Sequence, residues 1–162
     1  CQVSLVIEEI FQQAGFPEGV FQSFIIDVDQ VERIIAHDIV QAVTLTGSEY
    51  AGSQVASLAG KHIKKSVLEL GGSDAFIVMP DADLHKAAKV ATQSRMQNAG
   101  QSCIASKRFL VFESVHDEFI SLMQQHVSAL VQGNPLDEHI TTGPMARLDL
   151  AEKLERQLTA TV

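Results

Sequence analysis

Cysteine is scarce: the 162-residue chain holds only Cys1 and Cys103. Two thiols are too few for a disulfide framework, which directs the expectation to a reducing, cytoplasmic setting. The six histidines (His37, His62, His85, His116, His126 and His139) show no paired ligand spacing, so no zinc site can be drawn and no metal is expected. No run of eighteen apolar residues occurs, which leaves no candidate for a membrane span. Positive charge is also short, with 12 Lys and Arg against 20 Asp and Glu for a formal charge of −8. That balance argues against nucleic acid and against anionic membrane surfaces as partners. The acidic residues are scattered and read as a solvated face. Repeats and low-complexity tracts are absent. The opening stretch CQVSLVIEEIFQQAG lacks an initiator methionine, a basic leader and a cleavage site. It already carries a helical pattern, so the expectation is a piece of a longer protein rather than a signal peptide.

What is present suffices for a folded α/β chain. Hydrophobic residues make up 46% and charged residues 20%, enough to build a core. Leu5, Ile7, Ile10, Phe11 and Ala14 form a helical stripe that Gly15 ends, with Pro17 just beyond. FQSFIID (21–27) reads as a strand and Val28–Ala36 as a short helix. VQAVTLTG (40–47) reads as a buried strand, and 48–62 as a helix with Ser48 as its N-cap. KKSVLELGG (64–72) is a third strand. After Gly72 the rhythm restarts: strand 74–80, helix 82–98 with Asp83 near its start, strand 107–113, and a helix over 114–131 capped by Ser114. A turn-rich loop follows Gly133, and then a final helix over 146–158. Strands alternating with helices predict parallel sheets built from crossovers. The expected boundary falls between Gly71 and Gly72, giving domains 1–71 and 72–162.

Three stretches can carry chemistry. In TLTGSEYAG, Thr46, Gly47 and Ser48 stand where a strand hands over to a helix, with Gly52 one turn inside. Free N–H groups and partial positive charge at such a terminus suit a pyrophosphate, although a plain capped helix has the same pattern. In LELGG, Glu69 ends an apolar strand. Partial burial there would make it hold its proton more tightly, toward the range of a general base, while a solvated edge residue is the bland alternative. In QNAGQSC, Cys103 lies at the mouth of an apolar strand rather than inside it. Reachable thiols of low pKa occupy such loops, whereas a packing cysteine lies within the run.

Together these stretches resemble the aldehyde dehydrogenase superfamily. LTGSEYAG is similar to its coenzyme turn, LELGG to its general-base motif and QNAGQSC to its nucleophile motif. They come in family order, with Cys103 thirty-four positions after Glu69. AGFPEGVFQ, AFIVMPDADL and NPLDEHITTGPM are similar to further landmarks, so the resemblance covers essentially the whole chain. It implies a stretch spanning the end of a Rossmann-like coenzyme-binding domain (1–71) and the start of an α/β catalytic, thiol-bearing domain (72–162). It further implies NAD or NADP as coenzyme, held at Thr46, Gly47, Ser48, Gly52, Glu69 and Leu70. Cys103 would be the nucleophile, its N–H half of an oxyanion hole, and Glu69 the base that activates water. QNAGQSCIASKRFLVFE is most similar to the succinate-semialdehyde dehydrogenase group, which implies that small aldehyde as substrate, near Gln97 and Ser102. Gln97 departs from the arginine that relatives can carry there, and Ala105 stands where some carry a second cysteine. The resemblance also implies a homo-oligomeric parent enzyme and an isolated piece that does not turn over. Two alternatives stay open: an acylating dehydrogenase that hands its thioester to coenzyme A, whose relatives often lack the glutamate, and a non-catalytic scaffold that keeps only the fold.

Overall fold

The computed structural model of the chain describes residues 2–161. It is a mixed α/β structure that divides into two compact units, one ending at Glu69 and one starting at Leu70. Each contains a two-stranded parallel sheet with a helix in the crossover.

In the first unit, helix α1 (Gln2–Gln13) ends as its sequence dictates. Gly15 takes φ +79°. The Gly15 N–H then reaches the Gln12 carbonyl at 3.0 Å and the Phe16 N–H the Phe11 carbonyl at 3.2 Å. Those two bonds make a Schellman cap, and the rings of Phe11 and Phe16 close it with centroids 5.1 Å apart. A short helix α2 (Val31–Ala36) precedes strand β1 (Ala42–Thr46). Helix α3 (Glu49–Lys61) then returns the chain to strand β2 (Lys65–Glu69). The strands run in register from Ala42 beside Lys65 to Thr46 beside Glu69.

Two expectations fail here. Residues 22–27 form no strand. An apolar run predicts extended backbone, but a strand also needs a hydrogen-bonding neighbour, and Phe24 and Ile25 stay 71% and 67% exposed. The segment is tied down locally instead: the Ser23 N–H donates to the Glu8 carboxylate at 3.0 Å, and Phe21 stacks on Phe11. Nor is β1 a fully buried strand. Val43 and Leu45 are half-buried and their neighbours exposed, because α3 packs on one face of a sheet only two strands wide.

In the second unit, strand β3 (Asp74–Val78) leads through helix α4 (Leu84–Met96) to strand β4 (Ser106–Val111). Helices α5 (His116–Ser128) and α6 (Leu148–Thr161) follow. Asp83 caps α4 by accepting from the Lys86 N–H at 3.1 Å. The core joins Val78 to Ala88 and Ala91 of α4 and to Phe119 and Leu122 of α5, with Phe76 and Phe109 packed against it. The two alanines are fully enclosed, and their small side chains let α4 and α5 approach closely. Enclosing Phe119 contributes on the order of 2–3 kcal/mol. Ser114 does not cap α5. A 3-10 turn over Glu113–Val115 intervenes, so the helix starts at His116 with no side-chain cap.

The parallel pairing of β3 with β4 contains one irregularity. Asp74 lies beside Ser106, but Ala75 lies beside Arg108. Lys107 is the extra residue of a β-bulge, and bulges re-aim the side chain they extrude.

Candidate active site

In the first unit, the predicted coenzyme residues converge on the carboxyl ends of two neighbouring strands. The Gly47 N–H donates to the Glu69 carbonyl at 2.9 Å, which ties the turn after β1 to the end of β2. Ser48 caps α3, its Oγ accepting from the Ala51 N–H at 3.2 Å. Thr46, Gly47 and Ser48 are exposed, while Gly52 is buried inside the first turns of α3. An exposed glycine turn feeding a capped thirteen-residue helix, at the carboxyl end of parallel strands, is a donor set suited to phosphate oxygens. Glu69 itself is exposed. Of the two readings left open for it, the structure has the solvated edge residue, because β2 packs against α3 and, among the described residues, pairs only with β1. Leu70, half-buried, opens the second unit.

In the second unit, Cys103 sits in an exposed turn between α4 and β4. The chain reaches it through strained backbone: Asn98, Ala99 and Gly100 are left-handed, with φ of 53°, 53° and 78°. Two of these carry a Cβ, so each costs on the order of 1–2 kcal/mol and must be held by its surroundings. The restraints are visible. Arg95 Nη2 donates to the Gly100 carbonyl at 3.2 Å, and its Nη1 is buried without a hydrogen-bond partner. The Gln101 side-chain amide donates to the Asn98 carbonyl at 3.1 Å, and its oxygen accepts the Ala146 N–H at 3.0 Å. Ser94 Oγ on α4 accepts the Ser106 N–H at 3.1 Å, which locks the start of β4.

Beyond Gln101 a single ammonium spans the loop. Lys107 Nζ donates to the carbonyls of Ser102, Cys103 and Ala105, each at 3.0 Å. Gly72 also meets this loop, since a Cβ at that position would stand 3.0 Å from the Cys103 carbonyl oxygen. Gln97 is exposed and Ser102 half-buried. Sequence reasoning missed Lys107 and Gly72 as site residues. The available signal was a lysine at the head of an apolar strand, four positions after the cysteine. Among the described residues no group of three or more His, Cys, Asp and Glu could hold a metal ion, and no helix is long and apolar enough to cross a membrane.

Comparison with known proteins places these features in a lineage. The model of the aldehyde dehydrogenase family matches residues 1–162. The succinate-semialdehyde dehydrogenase (NADP+) of Deinococcus radiodurans is 45% identical over 157 residues, covering 97% of this chain and 33% of that protein. A probable succinate-semialdehyde dehydrogenase (NADP+) of Synechocystis sp. is 50% identical over 161 residues, with 99% and 36% covered. Among solved structures, succinic semialdehyde dehydrogenase from Streptococcus pyogenes in complex with NADP+ superposes with a TM-score of 0.94 at 38% identity. That match covers 98% of this chain and 35% of the other. The chain thus spans about a third of the length of the relatives it matches. With an exposed cysteine turn, a glutamate-ended strand and a glycine turn at a helix start in family order, and with the family model matched from end to end, the chain belongs to the aldehyde dehydrogenase family.

Proposed function

We propose that the protein to which this chain belongs oxidises succinate semialdehyde to succinate with NADP, NAD being the alternative coenzyme. The observation that carries this reading is the exposed Cys103 turn, held between α4 and β4 in a chain whose named relatives are NADP-dependent succinate-semialdehyde dehydrogenases. Residues 1–71 would supply part of the coenzyme domain and 72–162 part of the thiol domain. The exposed Thr46–Ser48 turn supports pyrophosphate binding there, aided by Gly52 and flanked by Glu69 and Leu70. The coenzyme, when bound, supplies the hydride acceptor.

The remaining chemistry falls to the chain. The Cys103 thiolate adds to the aldehyde carbon, and the carbonyl π pair becomes an alkoxide that the Cys103 N–H stabilises. When the C–H bond gives up its hydride, the alkoxide collapses to a C=O and leaves a thioester on Cys103. Glu69 takes a proton from water, the resulting hydroxide adds to the thioester, and the C–S bond breaks to return the thiolate. Gln97 and Ser102 border the substrate. The presence of Glu69 favours water over coenzyme A as acceptor.

The test uses the full-length protein. Cys103→Ala is expected to abolish reduction of NADP by succinate semialdehyde, and oxidation that survives would overturn the assignment. Glu69→Gln is expected to accumulate a thioester adduct on Cys103, read as a mass increase. Undiminished turnover in water would remove Glu69 from the mechanism.

A further inference from the structure

We propose that Lys107 is a positioning residue that fixes the direction of the Cys103 N–H. The proposal rests on the reading of Cys103 as nucleophile. Two independent features of the structure point to it. The first is the bulge: β4 gives up one ladder position at Lys107, so that its side chain is extruded from the regular alternation of the sheet. The second is where that side chain goes. An ammonium has three hydrogens, and Lys107 donates at 3.0 Å to three carbonyls of one turn, those of Ser102, Cys103 and Ala105. No carboxylate pairs with Lys107 among the described residues. Its charge is committed to the main chain.

Peptide geometry turns this clamp into a statement about catalysis. Among the described residues every peptide bond is trans, and in a trans peptide the C=O and the following N–H point in opposite directions. Drawing the Ser102 carbonyl toward Lys107 therefore aims the Cys103 N–H away from the lysine. Drawing in the Cys103 carbonyl does the same for the Ile104 N–H. The turn follows left-handed backbone and exposes Cys103 and Ile104 between half-buried Ser102 and buried Ala105, and a single peptide flip in it would aim a carbonyl where the oxyanion forms. The Ala105 N–H also donates to the Ser102 carbonyl at 3.2 Å, and Lys107 adds its hold on that carbonyl and on the Cys103 carbonyl, so that one orientation is kept. Gly72, whose missing Cβ leaves room for the Cys103 carbonyl oxygen, keeps that orientation sterically accessible.

The experiment compares Lys107→Met, Lys107→Gln and Lys107→Arg in the full-length protein. It reads kcat and KM for NADP and succinate semialdehyde, amide hydrogen exchange over 102–105, and melting temperature. The neutral variants are expected to lose about tenfold or more in kcat, since removal of one oxyanion donor costs about a hundredfold to a thousandfold. KM for NADP should stay within about twofold, exchange should rise over 102–105 alone, and Lys107→Arg should recover most of the lost kcat. Wild-type kcat in a folded neutral variant overturns the proposal. So does an equal loss in the arginine variant, and so does failure of both neutral variants to fold, which would make Lys107 a folding residue. Survival of activity in Cys103→Ala would instead overturn the nucleophile assignment, a separate outcome from any of these.

Discussion

Gly72 and Lys107 both crowd the carbonyl oxygen of Cys103. Gly72 has no positive φ, so alanine there would otherwise be mildly stabilising by restricting the unfolded chain. Against that gain stands a Cβ 3.0 Å from an oxygen that Lys107 already holds, so the oxygen cannot retreat without losing its donor. The contact wins. Gly72→Ala in the full-length protein is expected to cost about 1–2 kcal/mol of stability and to lower kcat, measured by thermal melting and steady-state kinetics. A melting temperature above wild type would refute this weighting.

Helix ends and connections decide how the elements behave, and three further outcomes belong at this level. Gly15→Ala should destabilise α1 by about 1–2 kcal/mol, because the Schellman cap needs φ +79° there; helix content and melting temperature report it. Ser48→Ala should cost about 1 kcal/mol through loss of the bond from the Ala51 N–H, and should weaken NADP binding in a titration. Helices α2 and α3 are joined by Glu32 and Lys61, and the Lys61 ammonium, first by hydrogen bond and then by charge, holds the Glu32 carboxyl below the usual carboxylate range. A depressed folded pKa means the contribution is present above the unfolded value and is lost as pH falls through the folded one. Glu32→Gln should therefore flatten the stability profile only on its acid limb, below about pH 4.5, and by a small amount because both side chains reach solvent. The legible features share these local origins. Gly15 with Pro17, Ser48 and Asp83 announce their helix ends because a cap is a matter of a few adjacent residues. Residues 21–27 misled because extended backbone is local while strand pairing is not, and Ser114 because a 3-10 turn occupied the place of a cap. Cys103 and Glu69 stood out by position in their motifs, whereas the Lys107 bulge depends on the register between two strands and is invisible in either one.

At the scale of the whole chain, Cys103 and Glu69 both face water. Electrostatic stabilisation of an oxyanion is strong only where water is excluded. The 162-residue polypeptide by itself is therefore expected to reduce NADP at least about a thousandfold more slowly than the full-length protein. Absorbance at 340 nm with succinate semialdehyde decides the matter, and a comparable rate would contradict it. The topology has one more consequence, for the order of events during synthesis. β1 finds its partner in β2, and β3 in β4, each across a single intervening helix. All of the sheet pairing in the first unit thus involves residues made before Leu70 is added. The pairing of β1 with β2 involves only residues made before the codon for Cys103 is read, so a lesion in the thiol turn should leave that pairing untouched.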